Sequence, residues 1–498
     1  MCGIIGVFDK IHSANLAYDG LLTLQHRGQD GAGILSYDFN SHEFSQCKNS
    51  GLVASAITKG SLAKLTGQMS IGHTRYSTVG KKSLADLQPM LLHFPFGLGM
   101  VHNGNIVNYY DLKTKLREDH RLQFISGNDL EVIQNIFALK LHQIMQSKSC
   151  SKVKISLNDL ALCTNEVFAQ VIGGYSVIGE LADHGLFAFR DPLGLRPLVL
   201  GKKNNGLAPS SYIFASETVA LEYLGFDYVR DVKPGELVFI DSAGKLHQQM
   251  VRDDDKKANC MFEWIYFSSP ESIIENKLVY QARLKLGQAV GRKVRDSILK
   301  GDINPDVIVP VPETSRVAAI QCAEELKLPY REVLIKNRYV QRSFILNTQN
   351  QREEAVKLKL SPVRGEFYGK RVLLLDDSIV RGTTSRSIIK MVKNAGAKEI
   401  IFASTCAPIK HPCYFGIDFP DSSSLIASGR TINEITTSLG ADKVIYLTEN
   451  EIAEAIGLNS LCMACLNGKY PVNVKTAEQF REKRKIRDEQ MTIHSQSL

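Results

Sequence analysis

RVLLLDDSIVRGTTS, residues 371–385, decides the fold of the second half of the chain. Residues 372–375 form an apolar run without polar alternation, the pattern of a strand buried on both faces of a parallel sheet. Asp376 and Asp377 stand at its carboxyl end, and Ser378, Arg381, Gly382, Thr383, Thr384 and Ser385 lie in the loop that leads into a helix. In an open parallel sheet, ligands bind outside the carboxyl ends of the strands. Glycine and hydroxyl residues at a helix N-terminus place amide N–H groups and hydroxyls around a phosphate. A helix capped by hydroxyls would share that loop. The paired acids go further, because two adjacent carboxylates repel unless a cation or a polyol meets them.

Working outward, similar runs recur at 306–311 (DVIVPV), 399–405 (EIIFAST) and 442–448 (DKVIYLT), separated by amphipathic helices. Strands alternating with helices predict βαβ units. Upstream, VRDDDKKANC at 251–260 reads as a charged linker. The texture before it is different. Short apolar runs such as CGIIGVF, SIGHTRY, GLGMVHNG and YSVIGEL are split by glycine and polar turns, which predicts many short strands. Helices are expected near 14–25 and 129–147, and exposed loops at 147–154 and 202–211. The segments expected are therefore 2–250, 260–470 and a charged helix or tail at 471–498.

At roughly 100–200 residues per domain, 498 residues suit two or three domains. Composition is that of a soluble globular protein, 44% apolar and 22% charged. No apolar stretch approaches the ~18 residues of a membrane helix, and the N-terminus has no basic region or cleavage pattern. A cytoplasmic protein is expected. The net charge of +8 is dispersed, without a basic stripe interleaved with aromatics, so nucleic acid is not implied. Ten cysteines in such a chain do not form a disulfide framework.

Cys2 stands out by position. Removal of Met1 would give it a free α-amino group with a pKa of about 7.7–8.0, partly neutral near pH 7. One residue would then carry both nucleophile and base. Acyl transfer also needs oxyanion donors, and Asn103 and Gly104 in VHNGNI offer a side-chain amide and a backbone N–H, although Asn-Gly is also a turn signal. Arg75 in GHTRYST suits an α-carboxylate. Asp129 could accept an ammonium or cap a helix.

In this order, CGIIG, QHRGQDGAG (25–33), GHTRYSTVG (72–80), VHNGNI (101–106) and RDPLGLRPL (190–198) resemble the glutaminase domain of the N-terminal-nucleophile amidotransferases. The resemblance implies a four-layer αββα sandwich, Cys2 as nucleophile, Asn103 and Gly104 as oxyanion hole, and Arg75 and Asp129 as glutamine ligands. Arg27 and His73 would support that site, and His102 would be structural. Residues 371–385 resemble the phosphoribosyl pyrophosphate (PRPP) signature of type I phosphoribosyltransferases. On that likeness PVPETSR (310–316), with Thr314 and Ser315, is the pyrophosphate loop. KNRYVQRSFI (336–345) is a closing loop with Lys336, Arg338 and Tyr339 as PRPP contacts, and Mg²⁺ is held near Thr314, Asp376 and Asp377.

The two halves in this order resemble the amidophosphoribosyltransferase family. The resemblance implies transfer of ammonia from glutamine to C1 of PRPP at the first committed step of purine synthesis. It also implies feedback inhibition by purine nucleotides and a homotetramer. One branch of that family carries an iron–sulfur cluster. Cys260, Cys413, Cys462 and Cys465 match its cysteines, so a [4Fe–4S] cluster is expected, with zinc or bare thiols as the alternatives. The chain departs from the family pattern at Asn347 and Ala407, where prolines are common.

Overall fold

The computed structural model describes residues 1–76, 83–148, 154–206, 208–337, 360–419 and 422–474. Two antiparallel sheets build the first half. One has seven strands, in the order Asp227–Asp231, Val199–Asn205, Ala208–Ala215, Gly3–Phe8, Met69–Arg75, Gly31–Asp38 and Glu43–Ser50. The other has six, in the order Leu246–Met250, Glu236–Asp241, Gly185–Arg190, Gly173–Leu181, Leu98–Ile106 and Met90–Leu92.

The sheets pack face to face through Ile4, Leu35, Ile71, Val101, Ile178, Leu186 and Phe214. Helix Ser13–Thr23 covers the outer face of the first sheet through Ala17 and Leu21. Helices Leu130–Ser147 and Leu157–Gln170 cover the second through Phe137, Leu141 and Val167. The result is the expected αββα sandwich. The loop expected at 202–211 is a correction: 202–205 and 208–211 belong to two paired strands.

The second half holds a four-stranded parallel sheet, Val307–Pro310, Arg371–Asp376, Glu399–Ser404 and Lys443–Tyr446. Its apolar runs do not alternate because both faces are covered. Leu373, Leu375, Ile401 and Ala403 face helices Val279–Leu299 and Arg316–Leu326, whereas Val372, Leu374, Ile400 and Phe402 face helices Thr383–Asn394 and Ile432–Leu439. The two halves are stitched together around Cys260. Ala258 N donates to Leu193 O at 2.7 Å, and Asn259–Cys260 pairs in parallel with Leu461–Cys462.

Glu180 is an exception in the inter-sheet core. It is fully buried, and neither carboxyl oxygen has a hydrogen-bond partner among the described residues. Burial holds its pKa well above the ordinary 4.5. The unfolded chain ionises as pH rises past that value while the native carboxyl stays neutral, so unfolding releases a proton and Glu180 costs stability progressively above it. Glu180→Gln should therefore match the parent near pH 4.5 and gain on it by about 1.4 kcal/mol per pH unit above that, until the native carboxyl itself ionises. Urea midpoints at pH 5 and pH 8 check this. A constant difference between the two variants would show that the native carboxyl is ionised.

Candidate active sites

The first site lies where the two sheets meet. Cys2 immediately precedes the central strand Gly3–Phe8, which runs antiparallel to Met69–Arg75 with Gly3 opposite Thr74. This register sets Cys2 beside Tyr76, whose N–H approaches Sγ at 3.5 Å. Arg27 Nε donates to the Cys2 carbonyl at 3.1 Å. Met1 is buried, and burial lowers its amino group to about 5.

His73 and Arg75 lie on the neighbouring strand, both buried. His73 has no hydrogen bond to either ring nitrogen among the described residues, and its pKa is held well below 6.5, by burial first and then by His102 and Arg75. Asn103 and Gly104 lie in the second sheet on Leu98–Ile106. The Asn103 side chain is buried, with both Oδ1 and Nδ2 unpartnered among the described residues. Gly104 is obligatory, because a Cβ there would stand 2.1 Å from Gly174 O.

Asp129 precedes helix Leu130–Ser147 without capping it by its side chain. Instead, its Oδ2 accepts from Ile106 N at 2.9 Å, and Oδ1 lies 3.3 Å from His102 Nε2. Burial would raise this carboxyl; His102 and the Ile106 amide outweigh it and hold it below 3.8. Gln88 fixes the His102 tautomer. Its Oε1 accepts from His102 N at 2.7 Å, so its NH₂ group donates to Nδ1 at 2.8 Å and leaves the ring proton on Nε2, facing Asp129. His102 Nε2 is thus a close neighbour of Asp129 and makes no well-formed hydrogen bond among the described residues.

Sequence reading missed the acids that hold Arg27. Glu217 accepts from Nη1, and Glu263 accepts from Nη2 at 2.8 and 3.1 Å. Glu263 also faces Arg196 Nη1 at 3.5 Å. RDPLGLRPL supplies Arg190 and Arg196 to the junction. Arg190 Nη2 donates to Asn259 Oδ1 at 3.2 Å, and Arg196 Nε to Phe415 O at 2.9 Å.

The second site is at the carboxyl end of Arg371–Asp376. Asp376 and Asp377 are both mostly enclosed, with a small part of each open to solvent. Asp376 is raised well above the usual carboxylate range by burial and by its neighbour's charge. Asp377 is pushed up to about 6, chiefly by burial, against the pull of Ser378, Arg283 and Thr314. Ser378 Oγ donates to Asp377 Oδ1 at 2.8 Å.

Gly382 has φ 72° at the start of helix Thr383–Asn394, so Thr383, Thr384 and Ser385 form its first turn beside the two acids. The exposed Arg381 lies in the loop before it. Thr314 reaches Asp377, whereas the buried Ser315 hydroxyl donates back to Val311 O. Lys336 ends strand Leu334–Lys336 with its ammonium 3.9 Å from Glu313 in the PVPETSR loop. Arg338 and Tyr339 lie outside the described residues.

The cysteine expectation is overturned. Cys260, Cys413, Cys462 and Cys465 line a common cavity with Arg196 and Tyr470. Yet among the described residues no group of three or more His, Cys, Asp or Glu could hold a metal ion, which argues against the [4Fe–4S] cluster and against zinc. Burial favours the protonated form of three of these thiols: it raises Cys260 to about 11, Cys462 to about 12 and Cys465 well above the ordinary range. The same finding leaves the Mg²⁺ expectation at Thr314, Asp376 and Asp377 unconfirmed: among the described residues two carboxyls stand there, and the Thr314 hydroxyl is engaged by one of them.

Family models match the chain in the same order as the two sites. A glutamine amidotransferase domain covers residues 59–251, and a phosphoribosyl transferase domain covers 280–423. Fold and sites together define a glutamine amidotransferase of the N-terminal-nucleophile type joined to a phosphoribosyltransferase. The amidophosphoribosyltransferase of Haemophilus influenzae is 40% identical over 460 residues, covering 92% of this chain and 90% of that one. The Escherichia coli enzyme is 40% identical over 460 residues, with 92% and 88% covered. The solved glutamine PRPP amidotransferase from B. subtilis, complexed with ADP and GMP, superposes with a TM-score of 0.82 at 35% identity, covering 95% of this chain and 98% of that one.

The chain belongs to the amidophosphoribosyltransferase family. It is an enzyme that transfers the amide nitrogen of glutamine to PRPP, forming 5-phosphoribosylamine.

Proposed function

We propose that the reaction is divided between the two sites as follows. With Met1 removed, the Cys2 thiol attacks the side-chain amide carbon of glutamine and its proton passes to the Cys2 α-amine. Asn103 Nδ2 and the Gly104 N–H receive the oxyanion. Ammonia departs with that proton, and water hydrolyses the thioester to glutamate. Arg75 takes the glutamine carboxylate and Asp129 its ammonium, with Arg27 and His73 as supports.

At the second site Asp376 and Asp377 accept from the ribose hydroxyls. Ser378, Arg381, Gly382, Thr383, Thr384 and Ser385 hold the 5-phosphate loop, while Thr314, Ser315, Lys336, Arg338 and Tyr339 contact the pyrophosphate side. Ammonia attacks C1, and pyrophosphate leaves with the C1–O bonding pair. The boundary between the two units falls between residues 250 and 260.

The observation that carries the glutaminase assignment is Asn103, a buried amide with no partner among the described residues, on the sheet facing Cys2. Losing one oxyanion donor typically costs ~10²–10³ in kcat. Asn103→Ala should show that loss for glutamine with KM little changed, measured by glutamate release. An unchanged kcat would remove Asn103 from the oxyanion role.

Family likeness supports three further readings: a place at the first committed step of purine synthesis, homotetrameric assembly, and a cytoplasmic location. No described helix is long and apolar enough to cross a membrane. The B. subtilis relative was solved with ADP and GMP. For this chain we extend that to feedback inhibition by purine nucleotides.

A further inference from the structure

We propose that Glu263, contributed by the second half of the chain, is a positioning residue for the nucleophile and acts through Arg27. This rests on the reading of Cys2 as nucleophile. Arg27 is fully buried, and each part of its planar fork is committed. Nε donates to the Cys2 carbonyl at 3.1 Å, Nη1 to Glu217, and Nη2 to Glu263 Oε2 at 2.8 Å and Oε1 at 3.1 Å. A guanidinium is rigid, so fixing its two terminal nitrogens fixes the direction of Nε.

The two acids are themselves tied down from the far half. Glu217 Oε2 accepts from Ser269 N at 2.8 Å and Ser272 Oγ at 2.7 Å. Glu263 Oε2 accepts from Ser268 Oγ at 2.9 Å. The segment carrying Glu263 and Ser268 hangs on Arg283 of helix Val279–Leu299, which donates to Trp264 O at 3.0 Å, Tyr266 O at 3.2 Å and Ser268 O at 2.7 Å. Arg283 is also the cation whose charge acts on Asp377 at the second site. A continuous set of buried polar contacts therefore runs from the helix beneath the PRPP acids to the residue that must present its thiol to glutamine. Glu263 touches neither substrate in this arrangement. Its part is to hold the Cys2 carbonyl, and with it the direction of the thiol and the α-amine.

The test uses the full-length enzyme and the variants Glu263→Gln and Glu263→Asp. Four quantities are read: glutamine-dependent kcat and KM, ammonia-dependent activity, the rate and pH profile of Cys2 alkylation by iodoacetamide, and the melting temperature. A misplacement of the order of 1 Å costs about 10²-fold. Glu263→Gln should therefore lose about that much glutamine-dependent kcat, with KM for glutamine and ammonia-dependent activity within about twofold of the parent. Alkylation should slow and its pH profile should move. Glu263→Asp keeps the charge that Arg27 needs and should recover part of the loss; it also decides the matter where Glu263→Gln does not fold.

Unchanged glutamine kcat and unchanged alkylation would overturn the proposal. Equal loss of both activities with a lowered melting temperature would also overturn it, as the mark of a merely structural ion pair. Cys2→Ala is run alongside. If that variant still uses glutamine, the reading of Cys2 fails. If it is inactive with glutamine and Glu263→Gln is not, only the role of Glu263 fails.

Discussion

Cys2→Ala is expected to abolish glutamine-dependent formation of 5-phosphoribosylamine and to leave ammonia-dependent formation intact. The side chain of Cys2 is half-buried at a strand end, and its close contact is the backbone of Tyr76. Losing one sulfur there leaves the strand pairing of Gly3–Phe8 on both sides untouched. Oxyanion donors and substrate binding alone retain only a small part of acyl-transfer catalysis, so the loss should reach roughly 10⁴-fold or more. Free ammonia needs no thiol and reaches PRPP at a site on a different sheet. Glutamate and pyrophosphate release, assayed separately with each nitrogen donor, gives the comparison. Equal loss with both donors would mean that the two chemistries are not separable as assigned.

The second large effect is expected at Asp377. Asp377→Ala should abolish synthesis with glutamine and with ammonia alike. Hydrogen bonds to a charged group are worth about 1.5–3 kcal/mol each. Two of them to the ribose hydroxyls amount to roughly 10²–10⁴-fold in PRPP use. The chain should stay folded, because the substitution removes a carboxylate whose charge raises the cost of ionising the adjacent Asp376. PRPP consumption and a melting curve on the same preparation settle both points. Normal PRPP turnover would place the ribose elsewhere.

Where a residue's environment is set by its own segment, the sequence could be read well. The run at 372–375 is apolar on both faces because helices cover both, and the strand Arg371–Asp376 lies where that pattern put it. The same holds for the apolar runs that became Val307–Pro310 and Glu399–Ser404. Helix Leu157–Gln170 was missed although its signals are local: Ser156 and Asp159 form a capping box, and Leu160, Ala161, Cys163, Thr164, Val167 and Phe168 recur on one face at helical spacing. The strand ends at 202–205 and 208–211 were missed because the tip of this hairpin is held by backbone pairing and its exposed side chains carry no apolar period.

The candidate sites divide in the same way. Cys2, Asn103 and the acids Asp376 and Asp377 were visible because each sits in a short motif. Glu217 and Glu263 were not, because their partner Arg27 is 190 and 236 residues away and no local pattern marks such a pair. The four cysteines misled for the converse reason. Spacing can gather thiols around one cavity without arranging them as ligands.

The ion pair between Arg27 and Glu263 restricts how this glutaminase can be reused. Breaking a buried pair by removing one partner commonly costs about 3–5 kcal/mol, since a charge is left without compensation. Arg27 and Arg196 belong to the ammonia-producing half, and the Glu263 carboxylate they share arrives with the acceptor half. The ammonia-producing half is therefore not a freely portable module. An acceptor unit fused to it in its place of origin must bring its own acid to the same spot, and a gene split between the halves would encode two fragments that regain this contact only by reassociating.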